Sequence, residues 1–163
     1  MKIYQVGGFV RDKLLGIQSS DIDYLVVESS VDEMLQLGFK PVGKSFPVFL
    51  HPITNEEYAL ARKEQKIHAG HTGFKLVTQN ISLIDDLKRR DITINAIAFD
   101  PVTQEYIDPF GGIIDLHNKI IRHVSEHFIE DPLRILRVAR FFAKLPNFTV
   151  ANATIILMSN MIH

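Results

Sequence analysis

With 163 residues, 46% of them hydrophobic and 23% charged, the chain has the length of one domain or a domain plus an appendage, and enough apolar material for a core. Cysteine is absent, which excludes a disulfide framework and a thiolate metal site, and no apolar run approaches a membrane span. The net charge of −1 rules out a generally basic protein, so any grip on a polyanion rests on clustered cations: Arg62, Lys63 and Lys66, then Lys88 to Arg90, then Arg134 to Lys144.

In chain order, the first half alternates short apolar runs with helical pieces, the pattern of a small α/β (α+β) domain. A strand over 2–6 runs into Gly7-Gly8, and a helix near 8–16 carries Arg11 close to its start and closes at Gly16. Asp21-Ile22-Asp23 opens a second strand over 22–27. A helix over 31–37 follows, with Ser30 and Glu33 spaced as a capping box. Further strands are expected at 47–51 and 56–61. Residues 63–80 are polar, contain Gly70 and Gly73, and read as a flexible loop. His68 and His71 lie in it three apart, but no third ligand type clusters nearby, so a solvated loop is the expectation.

From Ser82 the chain reads as a helix through Lys88, and 91–99 as a packed segment continuing past a break. Asp108-Pro109-Phe110-Gly111-Gly112 is a turn cluster, and 118–124 a short extended run. The pattern then predicts a helix over 130–145, with an acidic first turn, Pro132 near its start and Pro146 beyond its end. Leu133, Leu136, Val138, Phe141 and Phe142 are its expected buried face. An apolar helix over 153–162 needs a partner, and exposure of that face predicts self-association.

The stretch from Gly7 to Asp23 carries the most chemistry. Acids at i and i+2 on a strand share a face and repel unless a cation lies between them, so Asp21 and Asp23 suit a hard divalent metal. Glycines at a strand-to-helix turn present backbone N–H groups where a phosphate can bind. Gly-Gly alone is ordinarily a turn, and Asp-x-Asp alone a solvated strand end. Their conjunction around Arg11 points to phosphoryl or nucleotidyl transfer.

G-G-F-V-R-D…D-I-D resembles the signature of the class II tRNA nucleotidyltransferase and bacterial poly(A) polymerase family, within the polymerase-β-like nucleotidyltransferases. D-D-L-K-R-R-D-I-T-I-N-A-I-A at 85–98, D-P-F-G-G at 108–112 and E-D-P-L-R-I-L-R-V-A-R at 130–140 follow in the family's order, so the resemblance covers residues 1–145. It is strongest to bacterial CCA-adding enzymes, and it implies a nucleotidyltransferase head over 1–124 and the start of a helical neck over 125–163. Members of the family continue into further helical regions that hold tRNA.

The resemblance implies attack of an RNA 3′-hydroxyl on the α-phosphate of CTP or ATP, with release of pyrophosphate. Asp21 and Asp23 would hold two Mg²⁺, one activating the hydroxyl and one stabilising the leaving oxygen, and Glu57 is the candidate third carboxylate. Gly8 would admit the triphosphate, Arg11 would pair with its oxygens, and Arg90 would contact the nucleotide. Asp91 would brace the basic pair or contact the sugar. Asp131 and Arg134 would read the incoming base, with Arg137 and Arg140 on base or phosphate. The implied partners are CTP, ATP and the tRNA 3′ end, with Mg²⁺ as cofactor, in the cytoplasm. A poly(A) polymerase, a partial C- or A-adding enzyme and a nucleotide-binding fragment without turnover share these residues.

Overall fold

The structure, a computed structural model, describes residues 1–42, 47–66 and 74–161. At its centre, β1 (Lys2–Val6) lies antiparallel to β2 (Asp23–Val27) in a register that sets Val6 opposite Asp23. Between them the chain makes α1 (Gly7–Leu14), which starts on the residue after β1 because Gly7 takes φ +70, a conformation open to glycine at little cost. After β2 comes α2 (Val31–Gln36). The Ser30 hydroxyl accepts from the Glu33 N–H, while the Glu33 carboxylate accepts from Ser29, so only half of the expected capping box forms.

β3 (Lys40–Val42), β4 (Val48–Leu50) and β5 (Glu57–Leu60) extend the sheet on one side of β2; β8 (Ala98–Asp100) and β9 (Glu105–Ile107) extend it beyond β1. The mixed sheet runs β3-β4-β5-β2-β1-β8-β9, with β2 and β5 parallel. Side chains alternate across it as a pleated sheet requires. Val26 and Leu60 pack with Met34, Phe39, Phe49 and Tyr58 on one face. Val6, Leu25 and Val27 pack with Ile81, Leu87 and Ala96 on the other. Burial on both faces explains why Leu25–Val27 of β2 reads as an unbroken apolar run.

The segment expected to be a loop over 63–80 instead begins and ends in paired strands, β6 (Lys63–Lys66) and β7 (Phe74–Val77), which are antiparallel. His68 and His71 lie outside the described residues. Next, α3 (Leu83–Lys88) starts on a reciprocal capping box between Ser82 and Asp85, and a 3₁₀ turn (Thr93–Asn95) leads into β8. The short strands β3, β8 and β9 escaped the sequence reading, as did α4 (Gly112–His117). The start of α4 is built by Asp108, whose carboxylate accepts from Gly112 N at 2.7 Å and Ile113 N at 2.8 Å, so a cluster that reads as a turn is also a helix cap.

A third core lies under α4 and the C-terminal elements: β10 (Ile120–Ile121), a 3₁₀ turn (Glu126–Glu130), α5 (Leu133–Lys144), β11 (Thr149–Val150) and α6 (Asn152–Ser159). Ile92, Ile94, Leu116 and Ile121 share it with Phe128, Val138, Leu145 and Phe148. The expected helix over 130–145 begins later, because Asp131 is extended and Pro132 occupies the cap position. Its apolar face is also narrower than the pattern suggests: Val138 is buried and Phe141 half-buried, while Leu133, Leu136 and Phe142 are exposed. On α6, Leu157 and Met158 pack inward, whereas Ile155 and Ile156 are exposed. Among the described residues no helix is long and apolar enough to cross a membrane.

Candidate active site

The ends of β1, β2 and β5, the start of α1, the end of α3 and one side of α5 enclose a cleft of about 610 Å³. Its lining includes Gly8, Arg11, Asp23, Glu57, Arg90, Asp131, Arg134, Arg137 and Arg140. Of the residues given a metal, catalytic or nucleotide role by the resemblance, only Asp21 is not in the wall; it precedes β2 and is exposed.

Sheet register places the carboxylates. Tyr24 pairs with Tyr58 across the parallel β2–β5 ladder, which sets Asp23 beside Glu57 on the cleft face. Asp23 keeps an open side toward solvent, yet burial by its surroundings raises its carboxyl above the ordinary range. Arg90 opposes that rise, the charges of Asp21 and Glu57 add to it, and Arg11 opposes it more weakly. Three hard oxygen donors that repel one another suit a divalent cation. Among the described residues no three His, Cys, Asp or Glu side chains are gathered around one point.

The turn at Gly7-Gly8 is tight against these groups. A Cβ on Gly7 would lie 3.0 Å from Asp23 Oδ2 and 3.3 Å from Arg90 Nη1, so the acid and the guanidinium flank the bare backbone. Val6, at the head of α1, gives no side-chain cap, which leaves the first N–H groups of the helix without a capping side chain at the cleft wall.

Arg11 is not an open fork. It is 5% exposed, pairs with Asp12 at 2.8 Å, donates from Nη1 to Asn95 Oδ1 at 2.7 Å, and sits 5.5 Å from the centre of the Phe141 ring. Arg90 donates from Nη1 to the Asn95 carbonyl at 3.2 Å and from Nη2 to Asp86 Oδ2 at 3.1 Å. Asn95 therefore holds one arginine by its side chain and the other by its backbone, a role that no spacing rule points to.

Asp91 does not brace the Arg89-Arg90 pair. Its Oδ2 accepts from Arg137 Nε at 2.8 Å, and its Oδ1 from the Ile92 N–H. The brace is Asp86. On α5, Arg134 is 6% exposed and donates to the carbonyls of His127 and Arg89, both at 2.9 Å. Asp131 Oδ1 accepts from the Leu133 N–H. Arg137, Arg140 and Lys144 are exposed along the same edge. The cleft thus has Asp23 and Glu57 at one end, the Gly7-Gly8 turn beside them and the cationic side chains of α5 along the side.

Residues 3–122 match the family described as the poly A polymerase head domain. A multifunctional CCA protein of Methylobacillus flagellatus is 55% identical over 163 residues, which is 99% of this chain and 39% of that protein. Among solved structures, the Bacillus stearothermophilus CCA-adding enzyme in complex with CTP superposes with a TM-score of 0.75 at 33% identity, over 98% of this chain and 38% of that one. A tRNA nucleotidyltransferase complexed with a primer tRNA and an incoming ATP analog gives 0.73 at 34% identity, over 99% and 46%. The chain spans about two fifths of the first of these relatives. Its mixed sheet and flanking helices are those of a polymerase-β-like nucleotidyltransferase head. The chain belongs to the poly(A) polymerase head-domain family.

Proposed function

We propose that this chain is the catalytic head of a CCA-adding tRNA nucleotidyltransferase, transferring CMP and AMP from CTP and ATP to the 3′ end of tRNA without a template. The observation that carries the reading is one cleft that joins Asp23 and Glu57 to the Gly7-Gly8 turn, Arg90 and the α5 edge. The CTP, ATP-analog and tRNA complexes of similar structures support the same substrates. Asp21 and Asp23, with Glu57 beside them, would hold Mg²⁺, which supplies charge neutralisation at the attacking and leaving oxygens when bound.

The chain's own groups divide the remaining work. The backbone at Gly8 admits the triphosphate to the uncapped start of α1, where N–H groups and the helix dipole favour an anion. Arg90, and Arg11 beneath the turn, balance the phosphate charge. Asp131 and Arg134 offer acceptor and donor edges to the base, Arg134 from a position already braced by two carbonyls. Arg137 and Arg140 line the path of base or phosphate. A head over 1–124 continued by a helical neck, and a cytoplasmic setting, accompany this assignment.

The test incubates the chain, and a longer form carrying the following region, with Mg²⁺, labelled CTP or ATP, and tRNA lacking its 3′ end. Incorporation of C then A by the longer form, lost with Asp23→Ala, is the expected result. Untemplated runs of A would reassign the head to a poly(A) polymerase, and nucleotide binding with no transfer in either form would reduce it to a binding module.

A further inference from the structure

α3 ends against the cleft floor, and one of its acids is wholly enclosed. Asp86 has 0% exposure. Its Oδ1 accepts from Arg89 Nη2 at 2.7 Å, from Arg89 Nε at 3.0 Å and from the Arg62 N–H at 3.2 Å; its Oδ2 accepts from Arg90 Nη2 at 3.1 Å. Arg89 also donates from Nε to the Arg62 carbonyl at 3.1 Å. One carboxylate thus ties together the segment after β5 and two successive arginines, and all three arginines line the cleft. Asp86 itself does not.

We propose that Asp86 is a positioning residue for nucleotide binding: it aims Arg90 at the triphosphate by holding one arm of its guanidinium while the Asn95 carbonyl holds the other. The inference rests on the nucleotidyltransferase reading above. With both terminal nitrogens fixed, Arg90 lies where a Cβ on Gly7 would touch it at 3.3 Å, beside Asp23 Oδ2. Without the carboxylate, two adjacent guanidinium groups repel and Arg90 loses its orientation. Burial acts to raise the Asp86 carboxyl, but Arg90 and Arg89 outweigh it and hold the group below the ordinary range, so the clamp stays charged at neutral pH.

Charge and geometry make opposite forecasts here, which separates them. Neutralising Asp86 makes the floor more positive, and charge alone would then tighten triphosphate binding. Loss of aim would weaken it. The measurement is calorimetric affinity of the 163-residue chain for CTP, ATP and inorganic pyrophosphate, in the parent, Asp86→Asn, Arg90→Ala and the double variant. The expected result is a weakening of about tenfold in Asp86→Asn, equal for all three ligands, that disappears in the Arg90→Ala background because the two substitutions break one coupled unit. Arg90→Lys keeps the charge but not the fork, leaves Asp86 in place, and should weaken binding by a similar factor. It keeps the test decisive should Asp86→Asn fail to fold. Unchanged or tighter binding in Asp86→Asn, a loss that persists undiminished without Arg90, or parental affinity in Arg90→Lys overturns the proposal. A parent chain that binds none of the three ligands overturns the nucleotidyltransferase reading itself, and this inference with it.

Discussion

Adding a single methyl group at Gly8 separates the architecture of the turn from its use. Gly8 is the second residue of α1 and does not take a positive φ, unlike Gly7. A Cβ there would meet only the Arg11 side chain, with Nη2 at 3.5 Å, an ordinary contact that displaces nothing. Gly8→Ala should therefore leave stability unchanged or raise it by up to about 1 kcal/mol, the usual difference between the two residues in a helix. On the proposed function, the same methyl would stand where the triphosphate approaches the backbone. A loss of about tenfold in CTP affinity, equivalent to about 1.4 kcal/mol, is expected. Gly7→Ala is the contrasting variant. Its residue would be held at φ +70, costing about 1–2 kcal/mol, and its Cβ would lie 3.0 Å from Asp23 Oδ2. It should lose both stability and binding. Urea unfolding and calorimetric CTP titration on the three proteins make the comparison. Gly8→Ala with parental affinity would refute the phosphate path along α1.

Asp23→Asn should raise the thermal midpoint at pH 7 while abolishing transfer in a longer active form. Because the folded state raises this carboxyl, ionisation costs stability above the raised value and the cost vanishes as pH falls through it, so the gain should shrink in acid. Asp131→Ala should erode discrimination against UTP and GTP by roughly ten- to hundredfold with little change in stability, from about 1–3 kcal/mol per paired base contact. Arg134→Ala should lower stability too, since it strips the His127 and Arg89 carbonyls of a charged donor worth about 1.5–3 kcal/mol; an Arg134→Ala protein as stable as the parent would count against the brace. Burial lowers the His123 imidazole, opposed by Glu126 and aided by Arg122. Stability should therefore fall as pH drops through the ordinary histidine range, and the parent should lose more than His123→Asn between pH 7.5 and 5.5 by urea midpoint.

What could be read in the sequence was what depends on short range. Strands β1, β2, β4 and β5 were legible as short apolar runs between turn residues. The Gly7-Gly8 turn and the acid pair at the start of β2 were legible because strand spacing puts them near one edge, whereas Glu57 on β5 came only with the family resemblance. β3, β8 and β9 are three residues each, too short for a period to register. α4 hid behind a cap acid four residues ahead of its start. The exposure of Leu133 and Leu136 follows from which side of α5 meets the third core, a tertiary choice that periodicity does not contain. The same holds for Asp86 and Asn95, whose partners are far along the chain or in a different turn.

The third core also has a consequence for exchanging parts between relatives. Its residues come from both sides of position 124, and Arg134 adds a stitch to the carbonyl at the end of α3. A graft that swaps everything after 124 for the equivalent piece of another protein would bring a foreign Phe128, Val138, Leu145 and Phe148 against a resident Ile92, Ile94 and Leu116. The wall carrying the basic side chains and the floor carrying Arg90 thus rest on one core that crosses position 124. A seam cut at 124 would run through that core.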